Sequence, residues 1–163
     1  MIPKWKECLK KELASANRIA VLGAGSVLCG DDAVGMIVAE LLEVQGRDNP
    51  QLLAIQGSTA PENFCGVIRD FEPDLLLLVD AAHIKGEVGD ISFIEPEDIE
   101  STSLSTHMLP FGVLLDYLGA SIANCRMKII GIKPGNIDFG TDPSKTIKRS
   151  AAELAKFILD NTK

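Results

Sequence analysis

The chain is 163 residues long, 46% hydrophobic, and carries a formal net charge of −7 at pH 7. That length suits one domain over residues 1–163, with a helix over 1–17 packed on a core over 18–163. The acidic balance excludes the clustered Lys/Arg footprint of nucleic-acid binding and opposes adhesion to an anionic membrane. No apolar run is long enough to insert in a bilayer: Ile19–Gly30 is broken by glycines and falls short of the ~20 residues required.

Met1–Arg18 contains Glu7 and Glu12 and no continuous apolar block, so it does not read as a secretory signal. Its Trp5, Cys8, Leu9 and Leu13 fall at helical spacing. Ile19–Leu22 is short, apolar and partly β-branched, the pattern of a buried strand. Gly23 and Gly25 then permit a tight turn, and Val34, Ile37, Val38, Leu41 and Leu42 mark an amphipathic helix. Gln51–Gln56 reads as a second strand. Thr59 and Glu62 are spaced as a capping box, with Pro61 in the first turn of a short helix reaching about Phe71.

Asp74–Asp80 (DLLLLVD) is an unbroken apolar run between two acids, suited to a central strand buried on both faces. Ala81–Gly89 is a loop carrying His83. Asp90–Ile94 is a further strand about ten residues on, too soon for a parallel crossover, so it pairs antiparallel with its neighbour. Glu95–Glu100 and the hydroxyl-rich Ser101–Thr106 form an exposed loop ending at His107. Pro110 opens a helix bearing Phe111, Leu114, Leu115 and Leu118. Arg126–Ile132 is the last strand, Lys133–Pro143 a Gly/Pro/Asp-rich loop, and Ser144 the cap of a final helix with Ile147, Ala151, Leu154, Ala155 and Ile158 as its buried stripe.

Strands alternating with helices predict an α/β fold. The expected form is a three-layer αβα sandwich with a mostly parallel five-stranded sheet, one antiparallel strand, and helices on both faces. Cys8, Cys29, Cys65 and Cys125 are widely spaced and make no CxxC pair, which fits neither a zinc knuckle nor a disulfide framework. They read as small packing residues in a reducing compartment, the cytoplasm.

The glycine turn GAGSVLCGDDAVG (Gly23–Gly35) resembles a phosphate loop in outline only. The dinucleotide fingerprint needs glycine at Leu28. The P-loop spacing fits Gly25 and Gly30, but Lys and Ser/Thr are replaced by Asp31 and Asp32. Carboxylates there suit a cation or a polarised neutral group. The plainer alternative is that Asp31 caps the following helix and Asp32 favours the positive end of its dipole.

In such sheets ligands bind at the carboxyl ends of the strands. Asp31/Asp32 after the first strand, Asp80 at the end of the third, and His107 before a helix all arrive there. Two carboxylates and an imidazole make an open metal site. Each also has a structural alternative: Asp80 bonded to backbone amides, His107 a solvated loop histidine. His83 and Glu62 read as a solvent residue and a capping residue. A cysteine hydrolase using Cys29 and His107 is disfavoured by the carboxylates beside the thiol, and Ser26 lacks the GxSxG elbow.

GAGSVLCGDDAVG, GSTAPEN (Gly57–Asn63), LLLLVDAA (Leu75–Ala82), THMLP (Thr106–Pro110) and GIKP (Gly131–Pro134) together resemble the [NiFe]-hydrogenase maturation endopeptidases. The match is to the branch serving formate-hydrogenlyase-type and other membrane-associated hydrogenases, over roughly Ile19 to the C-terminus. The resemblance implies an aspartyl-type endopeptidase that removes the C-terminal extension of the hydrogenase large-subunit precursor after nickel insertion. It implies that nickel is carried by the substrate, with no tightly bound metal in the isolated protein. Carried residue by residue, the family's metal-contacting and catalytic positions fall on Asp32, Asp80 and His107.

Many members have Asn at Ser26 and Gly at Ala33. A ligating His107 must be neutral, so docking weakens in acid. Either nickel acts as a Lewis acid or an aspartate as general base. The competing functions are a non-catalytic nickel-dependent binding or chaperone protein for the precursor, and an unrelated metallohydrolase with its own zinc.

Overall fold

Every residue of β1 (Ile19–Gly23) and β3 (Leu75–Ala81) is buried, so both strands need cover on both faces. The computed structural model, which describes residues 1–95, 98 and 111–163, shows how that cover is supplied. With β2 (Leu52–Gln56), β4 (Ile91–Ile94) and β5 (Arg126–Ile132) these strands form one sheet in the order β2-β1-β3-β5-β4. Pairing is parallel except between β4 and β5, where Ile91 faces Ile132 and Ile94 faces Ile129. The short link into β4 therefore gives the antiparallel strand that its length predicts.

Side-chain alternation divides the core into two. Ile19, Val21, Leu75, Leu77 and Val79 pack with α1 (Lys4–Ala14), α2 (Val34–Gln45) and α5 (Lys145–Asn161). Ala20, Leu22, Leu76 and Leu78 pack with α3 (Cys65–Phe71) and α4 (Phe111–Ser121) on the opposite face. The result is the expected three-layer arrangement. The α1 helix buries Trp5, Leu9 and Leu13. Around that stripe lie an edge-on contact of Trp5 with Phe157 (5.4 Å) and two partly solvated ion pairs, Lys6–Glu153 (2.7 Å) and Glu12–Arg126 (2.9 Å).

Close packing of α2 on the sheet depends on Gly35. A Cβ at that position would collide with the carbonyl oxygens of Val79 and Ala24. Helix and strands meet backbone to backbone there, which fixes the segment just ahead of α2 against the end of β3.

Two local expectations are corrected. A short 3-10 turn, Gly30–Ala33, precedes α2; its N-cap is Cys29 and no side chain caps it, so Asp31 is not a helix cap. The turn Pro61–Phe64 has Ala60 as its N-cap, again without a side-chain bond, so Thr59 and Glu62 form no capping box. Pro61 does occupy the first turn, and Ser144 does cap α5 by accepting the Ile147 N–H at 3.3 Å. The Glu95–Thr106 loop, His107 and Pro110 fall outside the described residues, save for the exposed Glu95 and Asp98. Among the described residues no helix is long and apolar enough to cross a membrane.

Candidate functional site

The site lies where β1 and β3 end side by side. Beyond β1, the Ala24 N–H donates to Val79 O (2.9 Å) and the Gly25 N–H to Ser58 O (3.0 Å), which ties the glycine loop between the ends of β3 and β2. Gly25 has φ +135, a conformation that favours glycine, and a Cβ there would strike Asp32 O. The loop thus folds back on itself, and the following 3-10 turn presents Asp32 at the strand ends.

Asp32 is half-buried, and its Oδ2 accepts the Ser26 N–H at 2.8 Å. Its Oδ1 accepts no hydrogen bond from a described residue. One oxygen is thus held by the backbone, which orients the carboxylate. The two departures from the common family pattern fit this loop. Ser26 Oγ accepts the Leu28 N–H at 3.2 Å, the kind of local turn an Asn side chain also makes. Ala33 sits at φ −73, ψ −2, which any L-residue adopts.

Asp80 stands one residue before the end of β3, opposite Gly131 of β5, and is fully buried. It shares the alternation of Leu76 and Leu78, on the face covered by α3 and α4. Its Oδ1 accepts the Ala81 N–H at 2.8 Å. Asp80 thus lies near the carboxyl end of β3, and Asp32 in the turn that follows the loop after the adjacent parallel strand β1, while His107 lies outside the described residues. Among the described residues no three His, Cys, Asp or Glu side chains form a metal cluster. His83, in the loop after β3, is exposed, as expected of a solvent residue.

Asp31, next to Asp32, is employed otherwise. It is 1% exposed. Its Oδ2 accepts the Gly135 N–H (2.7 Å) and the Ser144 hydroxyl (3.2 Å), and its Oδ1 the Ser144 N–H (2.7 Å). A buried carboxylate with that many donors is a structural clamp between the glycine loop and the 133–144 loop. Its partners stand more than a hundred residues away, and no local pattern announces them. Glu62 is the other residue the sequence misplaced: half-buried, its Oε2 is out of solvent without a hydrogen-bond partner among the described residues.

The cysteines are all free. Burial, aided by nearby Glu62 and opposed by Arg69, pushes the Cys65 thiol up. Burial, aided by Asp74, pushes Cys125 up to about 11. Both remain protonated at neutral pH, and neither is a ready nucleophile.

Comparison with known proteins identifies the family. The HycI family, described as hydrogenase maturation protease, matches residues 36–161. The Hydrogenase 3 maturation protease of Escherichia coli K12 is 33% identical over 129 residues, covering 78% of this chain and 80% of that protein. The crystal structure of the [NiFe] hydrogenase maturation protease HycI from Thermococcus kodakarensis superposes with a TM-score of 0.85 at 32% identity, covering 94% of this chain and 97% of that one. The solution structure of the endopeptidase HycI from Escherichia coli gives a TM-score of 0.72 at 29% identity, covering 85% and 87%. This chain is therefore a member of the hydrogenase maturation protease family, an endopeptidase built on the mostly parallel sheet described above.

Proposed function

We propose that this endopeptidase removes the C-terminal extension of a [NiFe]-hydrogenase large-subunit precursor after nickel has been inserted, and that the nickel belongs to the substrate. Asp32, Asp80 and His107 engage the ion that the precursor brings. The observation that carries the reading is Asp32 itself: one oxygen is held by the Ser26 amide, the other accepts nothing from a described residue, and the loop is pinned beside the strand end bearing Asp80. Oxygen and imidazole donors suit a divalent nickel ion. Two carboxylates brought together repel unless a cation is shared, so docking without nickel is disfavoured. The place of action is the cytoplasm, a reading supported by the four free cysteines.

The test is the mass of a nickel-loaded large-subunit precursor after incubation with wild type, Asp32→Asn, Asp80→Asn and His107→Ala. The expected result is loss of the C-terminal peptide with wild type and a fall of at least about a hundredfold in rate with each variant, the upper end of what losing even an outer-shell partner of a metal ligand costs. Unimpaired cleavage by the variants removes the site assignment. A stable complex without any change in mass would favour a binding or chaperone role.

A further inference from the structure

Two loops that meet beside Asp32 expose apolar side chains that the proposed chemistry does not use. Val27 and Leu28 of the glycine loop are each 58% exposed, and Ile137 and Phe139 of the 133–144 loop are 41% and 79% exposed. Single apolar residues on a surface are ordinary. Four on two adjoining loops form a patch, which in a soluble protein marks a place where another surface binds.

The patch is rigidly mounted. Gly140 N–H donates to Leu28 O (2.7 Å), Gly30 N–H to Thr141 O (3.0 Å), and Asp31 N–H to Asn136 O (2.9 Å). Cys29 and Thr141 form a β-bridge, and the buried Asp31 carboxylate holds the Gly135 and Ser144 amides. A surface already ordered loses little entropy on binding.

We propose that Val27, Leu28, Ile137 and Phe139 form the surface on which the folded hydrogenase precursor docks, through an apolar patch of its own beside its metal site. The proposal rests on the endopeptidase reading above. Continuity argues for this occupant. Leu28 and Asp32 lie within one short loop, so a protein surface brought onto Asp32 must also cover Leu28 and its hydrogen-bonded neighbours. A second copy of this chain seated there would cover the same loop and exclude the substrate. Binding energy gathered away from the scissile bond is what an endopeptidase of folded substrates can use for positioning.

The experiment measures cleavage of nickel-loaded precursor, and its direct binding by fluorescence anisotropy, with wild type, Phe139→Ser, Leu28→Ser and the exposed control Val44→Ser. Phe139→Ser and Leu28→Ser should each raise KM and Kd about tenfold or more, with kcat within about twofold and the thermal midpoint unchanged. Val44→Ser should change none of these. Unaltered KM and Kd in the two patch variants would overturn the docking surface, while cleavage by wild type would still uphold the endopeptidase reading. Absence of cleavage by wild type counts against that reading, and the anisotropy then decides the docking surface alone. A dimer in sedimentation that Phe139→Ser dissolves would overturn the proposal in favour of self-association.

Discussion

Asp31 accepts two backbone N–H groups and a hydroxyl in the interior, while Asp32 accepts one amide and stays half-open. The pair should separate cleanly on mutation. Asp31→Ala removes three hydrogen bonds accepted by a buried carboxylate and should cost about 3 kcal/mol of unfolding free energy, read from urea denaturation. Asp32→Asn can keep the Ser26 bond through its amide oxygen and should stay within about 1 kcal/mol of wild type while losing cleavage. Equal stability losses at both positions would contradict the division of roles. The Cys125 thiol, raised by burial to about 11, lies above the ordinary thiol value of 9.0 that it takes when unfolded. The stabilisation linked to it is complete below the unfolded value and is lost as pH rises through the folded one. Alkylation of Cys125 by iodoacetamide should thus be slow at pH 8 in the native protein and accelerate toward pH 11; fast native-state alkylation at pH 8 would refute it.

The local patterns foretold the residues whose neighbours are local, such as Ser144 at the start of α5. They misjudged Asp31 and Glu62 because aspartate before a helix and the T-x-x-E spacing are cap signals only where the first turn begins at the right residue. Here a 3-10 turn begins instead, at Gly30 in one case and Pro61 in the other.

At the scale of elements, α2 is the part on which the site's position depends. Gly35 lets it lie against the carbonyls of Ala24 and Val79, so Gly35→Ala should cost about 3 kcal/mol by overpacking and should also lower activity by shifting the turn that carries Asp32. Urea denaturation and a cleavage assay on the same variant check both halves. The α1 helix is held by its apolar stripe, not by its ion pairs. Leu9→Ala, at a fully buried position, should cost about 3 kcal/mol. Glu12→Ala should cost about 1 kcal/mol or less, because its pair with Arg126 is partly solvated. A larger loss from Glu12→Ala than from Leu9→Ala would reverse that ranking.

At the scale of the whole molecule, alternating strand and helix signals made the three layers readable from the residues. The run DLLLLVD marked a central strand, and the brief link before Ile91 marked the antiparallel one. The order β2-β1-β3-β5-β4 was not readable, since it follows from which helices cross which face. The same limit hid the joining of the glycine loop to the 133–144 loop, a contact between segments far apart in the chain. Motif order supplied the family, and the fold explains why the motifs among the described residues are scattered: they lie at the carboxyl ends of four different parallel strands, β1, β2, β3 and β5.

The most direct measurement is the mass of the large-subunit precursor after incubation with the wild-type protein, run in parallel on nickel-loaded and nickel-free precursor. If the substrate's ion is what Asp32, Asp80 and His107 grip, only the loaded precursor loses its C-terminal peptide. Equal cleavage of both forms would contradict the account.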